Sequence, residues 1–130
     1  MTGSEWVVEA YGCDAVRLAD LTAMRAVFAA IIAEVRLNPV GDAVWHRFPE
    51  PGGMTGMQML AESHLTVHTF PEHGSLCLNL FCCTPRPVWA FDVRLGELVG
   101  TTDVRVTGLL RHYGAVPQEP RVYRRVETNI

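Results

Sequence analysis

Lysine is absent from this 130-residue chain: all 11 basic side chains are arginine, set against 14 acidic ones for a net charge of −3. Chemistry that needs a protein amine is thereby excluded. Pyridoxal-phosphate enzymes, Schiff-base aldolases and P-loop nucleotide enzymes all depend on a lysine, so no pyridoxal phosphate is expected. The mild negative charge provides no electrostatic basis for binding nucleic acid or an anionic membrane surface, and neither is expected as a partner. Long apolar runs are missing too. The longest, Ala26 to Ala33, has eight residues, against the roughly 20 needed to span a bilayer. The opening residues are polar and include Glu5, which does not read as a secretory signal, so the expected location is cytoplasmic. Cysteines number four, Cys13, Cys77, Cys82 and Cys83, and reduced thiols are the default there.

What is present is a 48% apolar chain whose length suits one compact domain, residues 1–130, burying roughly two-thirds of its unfolded surface. Trp6 to Tyr11 reads as a strand, broken by Gly12-Cys13-Asp14, with Asp14 as N-cap of a helix beginning at Ala15. From Ala15 to Leu37, Leu21, Met24, Phe28, Ile31 and Val35 recur at helical spacing, and Asn38-Pro39 ends that single long helix. Ala43 to Phe48 and Thr55 to Ala61 read as strands around a Pro/Gly loop. His64 to Phe70 is rich in β-branched residues. After a turn at Glu72-His73-Gly74, Ser75 to Cys83 alternates, with Leu76, Leu78 and Leu80 on one face. A second helix is expected after Pro85, with Val88, Phe91, Leu95 and Leu98 as its stripe and Gly100 at its end. Asp103 to Arg111 is a last strand, and the tail after Gly114 is unreadable. The order β, α, three or four strands, α, β predicts an α+β two-layer sandwich, a mostly antiparallel sheet with two helices on one face.

Reactive side chains concentrate between Glu62 and Cys83. His64 and His68 suggest a His-x-x-x-His metal pair, but that spacing serves a helix. On a strand the two positions lie about 13 Å apart, and no metal is expected. A Ser-His-Asp hydrolase would need Ser4, Ser63 or Ser75, yet no Gly-x-Ser-x-Gly elbow is present. A Cys83–His68 pair is more promising, since alternation puts both on the polar face of neighbouring strands and a closing hairpin would bring them together. The competing reading is that Cys77, Cys82 and Cys83 are small buried hydrophobes.

The block Glu62-Ser63-His64-Leu65-Thr66-Val67-His68-Thr69-Phe70-Pro71-Glu72 resembles the Glu-Ser-His…His-Thr-Trp-Pro-Glu signature of the short prokaryotic S-adenosylmethionine decarboxylase proenzymes. The similarity extends over Asn79-Leu80-Phe81-Cys82-Cys83, over Val8 to Asp14 and over His46-Arg47-Phe48, in all roughly residues 6 to 95. The resemblance implies self-cleavage between Glu62 and Ser63 into a β chain, 1–62, and an α chain, 63–130, with Ser63 converted to a covalent pyruvoyl group. It also implies His68 as proton acceptor in processing, and Cys83 as proton donor when carbon dioxide leaves a substrate held as a Schiff base. The ketone would replace the missing lysine and pyridoxal as electron sink. Phe48 and Phe70 would stack on adenine and Glu72 would contact the ligand; core packing is the alternative for each phenylalanine. The family further implies a homo-oligomer, a dimer of processed units with sites near the interface, serving spermidine synthesis.

Several positions depart from the family pattern: Phe70 for tryptophan, His73 for tyrosine, Asn79 for aspartate and Cys82 for threonine, with a loop before Gly56 one residue longer. These spare Ser63, His68 and Cys83 but touch the substrate pocket. Two further readings therefore stay open: a pyruvoyl decarboxylase of free L-arginine or L-ornithine, and a non-catalytic domain that keeps only the scaffold.

Overall fold

A computed structural model describes residues 1–116 and the backbone of residues 126–129. Among the described residues seven strands are formed: β1 (Thr2–Tyr11), β2 (Val44–Arg47), β3 (Met54–Leu60), β4 (Ser63–Phe70), β5 (Ser75–Cys82), β6 (Asp103–His112) and β7 (Val126–Asn129). They make one sheet in the order β2-β3-β4-β5-β1-β6-β7, and every neighbouring pair is antiparallel. Helices α1 (Ala15–Leu18), α2 (Leu21–Val35) and α3 (Phe91–Val99) pack on one face. The expected sandwich is thus observed. The β7 strand falls in the tail whose sequence pattern is unreadable.

Period-two alternation explains the two-sided character of the sheet. Trp6, Val8 and Ala10 on β1, Leu65 and Val67 on β4, and Leu76, Leu78 and Leu80 on β5 are buried with Met24, Val27, Phe28 and Ile31 of α2 and Leu95 and Val99 of α3. The intervening residues lie on a face that carries no helix among the described residues. Gly12 makes the exit from β1 possible. Its φ is +64°, and a Cβ there would lie 2.1 Å from the Thr102 hydroxyl oxygen, so only glycine fits.

The long first helix is a correction: it is two helices with a break at Ala19-Asp20. Asp14 caps α1 as expected, accepting from the Val16 and Arg17 N–H groups. Asp20 then acts as a second N-cap, taking the Thr22 N–H at 3.0 Å. The carbonyls that a continuous helix would use are engaged elsewhere: Leu18 O accepts from Thr69 Oγ1 at 2.9 Å, and Ala19 O from Arg47 Nη1 at 2.7 Å. Side-chain competition with the helical ladder and tertiary partners together outweigh the propensity of the run. A left-handed Arg36, φ 61°, closes α2.

The second helix also starts later than predicted. Pro85 and Pro87 lack donor N–H groups and disfavour helical geometry in the residue before each, so residues 85–90 stay irregular and α3 begins at Phe91. Val88 is exposed rather than part of the stripe. Trp89 is buried in its place, with Nε1 donating to Glu34 Oε1 at 2.9 Å.

Candidate active site

The β3–β4 hairpin has a two-residue connection, Ala61-Glu62, with Leu60 paired to Ser63. Ser63 has a φ of 151°, a region that side chains rarely occupy and that costs on the order of 1–3 kcal/mol. Such strain persists only if the surroundings over-determine it, and three contacts do so. The Glu62 carbonyl accepts the Cys83 N–H at 2.7 Å. The Glu62 carboxylate accepts from Asn38 N at 2.9 Å and Asn38 Nδ2 at 2.6 Å. Arg86 stands 3.7 Å from the same carboxylate. Burial on its own would raise the Glu62 pKa, but the hydrogen bonds from Asn38, helped by Arg86, prevail and hold it below the usual carboxylate range.

Cys83 lies just past the end of β5, half-buried, and its carbonyl accepts from Tyr113 Oη at 2.7 Å. Its neighbour Cys82 is fully buried against the core. Burial, partly offset by Arg86, pushes that thiol up to about 11. Of the vicinal pair, therefore, Cys83 is the thiol available at the hairpin turn. The reading of Cys77, Cys82 and Cys83 as small buried hydrophobes holds for Cys82, while Cys83 is half-buried and Cys77 exposed.

The predicted Cys83–His68 contact is not formed within the chain, a correction that comes from register. His68 pairs with Cys77, and Ser63 with Cys82. His68 lies five residue steps along the strand from Ser63, about 16 Å. His68 instead stands in a row across the open face, with Cys77 and then Glu9 on one side and Thr55 and then His46 on the other. Thr55 Oγ1 lies 2.9 Å from its Nδ1. His64 faces Phe81, and its Nε2 meets Asn79 Oδ1 at 2.9 Å. Asn79 Nδ2 in turn donates to Glu5 at 2.8 Å, and Glu5 pairs with Arg111. The asparagine that departs from the family's aspartate thus ties His64 to a charge pair.

Phe48, Phe70 and Glu72 cluster toward the far end of β4 from Ser63. Phe48 is 47% and Phe70 38% exposed, so neither is a core residue. Phe48 packs edge-on against His46, with ring centroids 4.8 Å apart. Glu72 sits in the 3-10 turn Pro71–His73. It lines a cavity of about 610 Å³ together with Asp20, Arg47, Pro51 and Pro71. Neither phenylalanine lines that cavity. The predicted site is therefore divided: Glu62, Ser63 and Cys83 gather at one end of β4, while His68, Phe48, Phe70 and Glu72 belong to the other. Asn38 and Arg86 were not identified from the sequence as site-forming, and Asn79 was read only as a departure touching the substrate pocket. Asn38-Pro39 carried a signal, but it read only as a helix stop.

These features define an antiparallel α+β sandwich presenting a strained serine directly after a buried glutamate. Residues 4–112 match the S-adenosylmethionine decarboxylase family, and the chain belongs to that family. It is 34% identical over 125 residues to S-adenosylmethionine decarboxylase proenzyme 2 of Halalkalibacterium halodurans, covering 92% of this chain and 94% of the relative. It is 35% identical over 124 residues to the S-adenosylmethionine decarboxylase proenzyme of Shouchella clausii, covering 92% of each. The crystal structure of the adenosylmethionine decarboxylase from Aquifex aeolicus superposes with a TM-score of 0.69 at 25% identity, covering 92% of this chain and 97% of that one.

Proposed function

We propose that this chain cuts itself between Glu62 and Ser63 and that the processed protein decarboxylates S-adenosylmethionine, supplying the aminopropyl donor for spermidine synthesis. The observation that carries the reading is Ser63, held at a φ of 151° beside a carbonyl that a backbone N–H already polarises. Ser63 Oγ attacks the Glu62 carbonyl carbon, and the Cys83 N–H stabilises the charge that grows on its oxygen. The amide C–N bond breaks as the ester C–O bond forms, and the hydroxyl proton passes to the Ser63 nitrogen. Loss of the residue-63 Cα proton then breaks the Cβ–Oγ bond. Glu62 leaves as a carboxylate carrying the serine oxygen, and dehydroalanine remains at residue 63. Water hydrolyses its imine tautomer, ammonia departs, and a pyruvoyl group caps the α chain, residues 63–130.

The residues present fit that group, because the strained serine, the oriented carbonyl and the anchored glutamate converge on one peptide bond. A pyruvoyl group supplies an electrophilic ketone conjugated to an amide, which accepts an amine and holds the electron pair left when carbon dioxide departs. Cys83, accessible at the same turn, is the proton donor to the substrate carbon. The separation of about 16 Å between Ser63 and His68 supports a homodimer in which the partner's His68 is the proton acceptor in processing. Exposed Val44, Met57 and Met59 provide an apolar surface for that pairing. Phe48 and Phe70 stack on the adenine and Glu72 contacts the ligand. The four cysteines are free, which accords with a reducing, cytoplasmic setting. Among the described residues no helix is long and apolar enough to cross a membrane.

Intact mass spectrometry of the purified protein is expected to show two chains divided between residues 62 and 63, the larger without a free amino terminus. Ser63→Ala is expected to stay whole. Carbon dioxide release is expected from S-adenosylmethionine and not from L-arginine or L-ornithine. An uncut parent chain would refute the processing, and release from a free amino acid would reassign the substrate.

A further inference from the structure

We propose that Asn38 and Arg86 are positioning residues for self-cleavage, clamping Glu62 so that its carbonyl cannot rotate away from Ser63. The inference rests on the reading of this chain as self-processing. Asn38 holds the turn with three separate groups. Its carbonyl accepts the Ala61 N–H at 2.8 Å, its backbone N–H donates to Glu62 Oε1, and its Nδ2 donates to Oε2. The next residue, Pro39, bridges to Leu60, and a residue before proline is confined to extended backbone. The α2–β2 connection is therefore a rigid template laid along the β3–β4 turn.

Arg86 approaches from the opposite side, on the loop after β5. That loop begins at Cys83, whose N–H binds the Glu62 carbonyl. Glu62 is thus gripped at its carboxylate by one connection, at its carboxylate and carbonyl by another, and is only 7% exposed. Rotation of the Glu62–Ser63 peptide, which would relax the φ of Ser63, requires these contacts to break. Neither Asn38 nor Arg86 reaches the reacting atoms; both act through Glu62. Their effect is geometric, and a displacement of about 1 Å at a reacting centre costs on the order of 100-fold in rate.

The clamp also carries a charge condition. The titratable and charged groups facing Glu62 are Arg86 and Cys82. Protonating the carboxyl removes the ion pair and sets a hydroxyl against an Asn38 donor. Cys82, with its pKa pushed up to about 11, stays neutral across the acidic range. Self-cleavage is therefore expected to slow as pH falls through the lowered Glu62 pKa.

The test tracks cleavage of the full chain by denaturing gel after cell-free synthesis, at neutral and acidic pH, with Ser63→Ala as the uncut reference. Asn38→Ala and Arg86→Ala are expected to slow cleavage about 10- to 100-fold, with Arg86→Lys restoring most of the rate. Glu62→Gln is expected to be slow at neutral pH and to slow less than the parent on acidification, because it lacks the carboxyl whose protonation opens the clamp, a profile that general loosening of the fold would not produce. Near-ultraviolet circular dichroism identifies chains that have folded, and Arg86→Ala, altering a partly exposed loop, keeps the test valid if Asn38→Ala does not fold. A parent that cuts while folded Arg86→Ala and Glu62→Gln cut at the parent rate would overturn the clamp and leave the processing reading intact. A parent that never cuts would overturn both.

Discussion

Strain at Ser63 makes a prediction that reverses the usual ranking of alanine and glycine. Both Ser63→Ala and Ser63→Gly remove the hydroxyl, so both chains should remain uncut and can be compared as intact proteins. At an ordinary strand position glycine is the worse choice by about 0.5–1 kcal/mol, because it loses more backbone freedom on folding. At a φ of 151° alanine still bears a conformational cost on the order of 1–3 kcal/mol, which glycine escapes. The difference leaves Ser63→Gly about 1 kcal/mol more stable than Ser63→Ala. For a chain of this length that corresponds to about 4 °C in Tm. Urea and thermal unfolding should be measured at one protein concentration, since association shifts both. Equal stability, or a more stable alanine variant, would show that the backbone at residue 63 is unstrained and would remove the argument that strain assists cleavage.

Two more outcomes are expected from buried groups. Thr69 is 3% exposed, accepts the Met54 N–H at 3.0 Å and donates to Leu18 O at 2.9 Å. Thr69→Val strands both backbone groups and should destabilise the protein by about 2–6 kcal/mol in urea titration, from roughly 1–3 kcal/mol for each unsatisfied group; a loss under about 0.5 kcal/mol would contradict that. Brief alkylation of the native Ser63→Ala chain at a pH of about 8, near the ordinary thiol pKa, should mark Cys83 and spare Cys82 in peptide mapping, because burial holds the Cys82 thiol at about 11. Equal labelling would show that the vicinal pair is not divided between core and turn.

Much of the scaffold was legible because it rests on local periodicity. The alternation of Leu76, Leu78 and Leu80 marked the core face of β5, and the spacing of Met24, Phe28, Ile31 and Val35 marked the buried stripe of α2. Asp14 as N-cap and Gly100 as the end of α3 were readable for the same reason, since each acts within a few residues of itself. The break at Ala19-Asp20 was not readable. It depends on Thr69 and Arg47 claiming the Leu18 and Ala19 carbonyls from 51 and 28 residues away. The start of α3 was misplaced because Val88 matched the stripe while the prolines before it forbade the helix.

Residue identity was enough to define the chemistry open to this protein. A chain without lysine cannot anchor pyridoxal phosphate through an amine, and the Glu62-Ser63 block with His68 and Cys83 pointed to the residues proposed to act in its place. How those residues are distributed in space was a matter for the folded state. Strand register is a property of pairing, not of either strand, and it set His68 against Cys77 and placed Cys83 beside Glu62. The same pairing turned Asn38, legible only as the end of a helix, into a support for the peptide bond at Ser63. One β-strand, about 3.3 Å per residue, is too extended for its two ends to share a site within one chain.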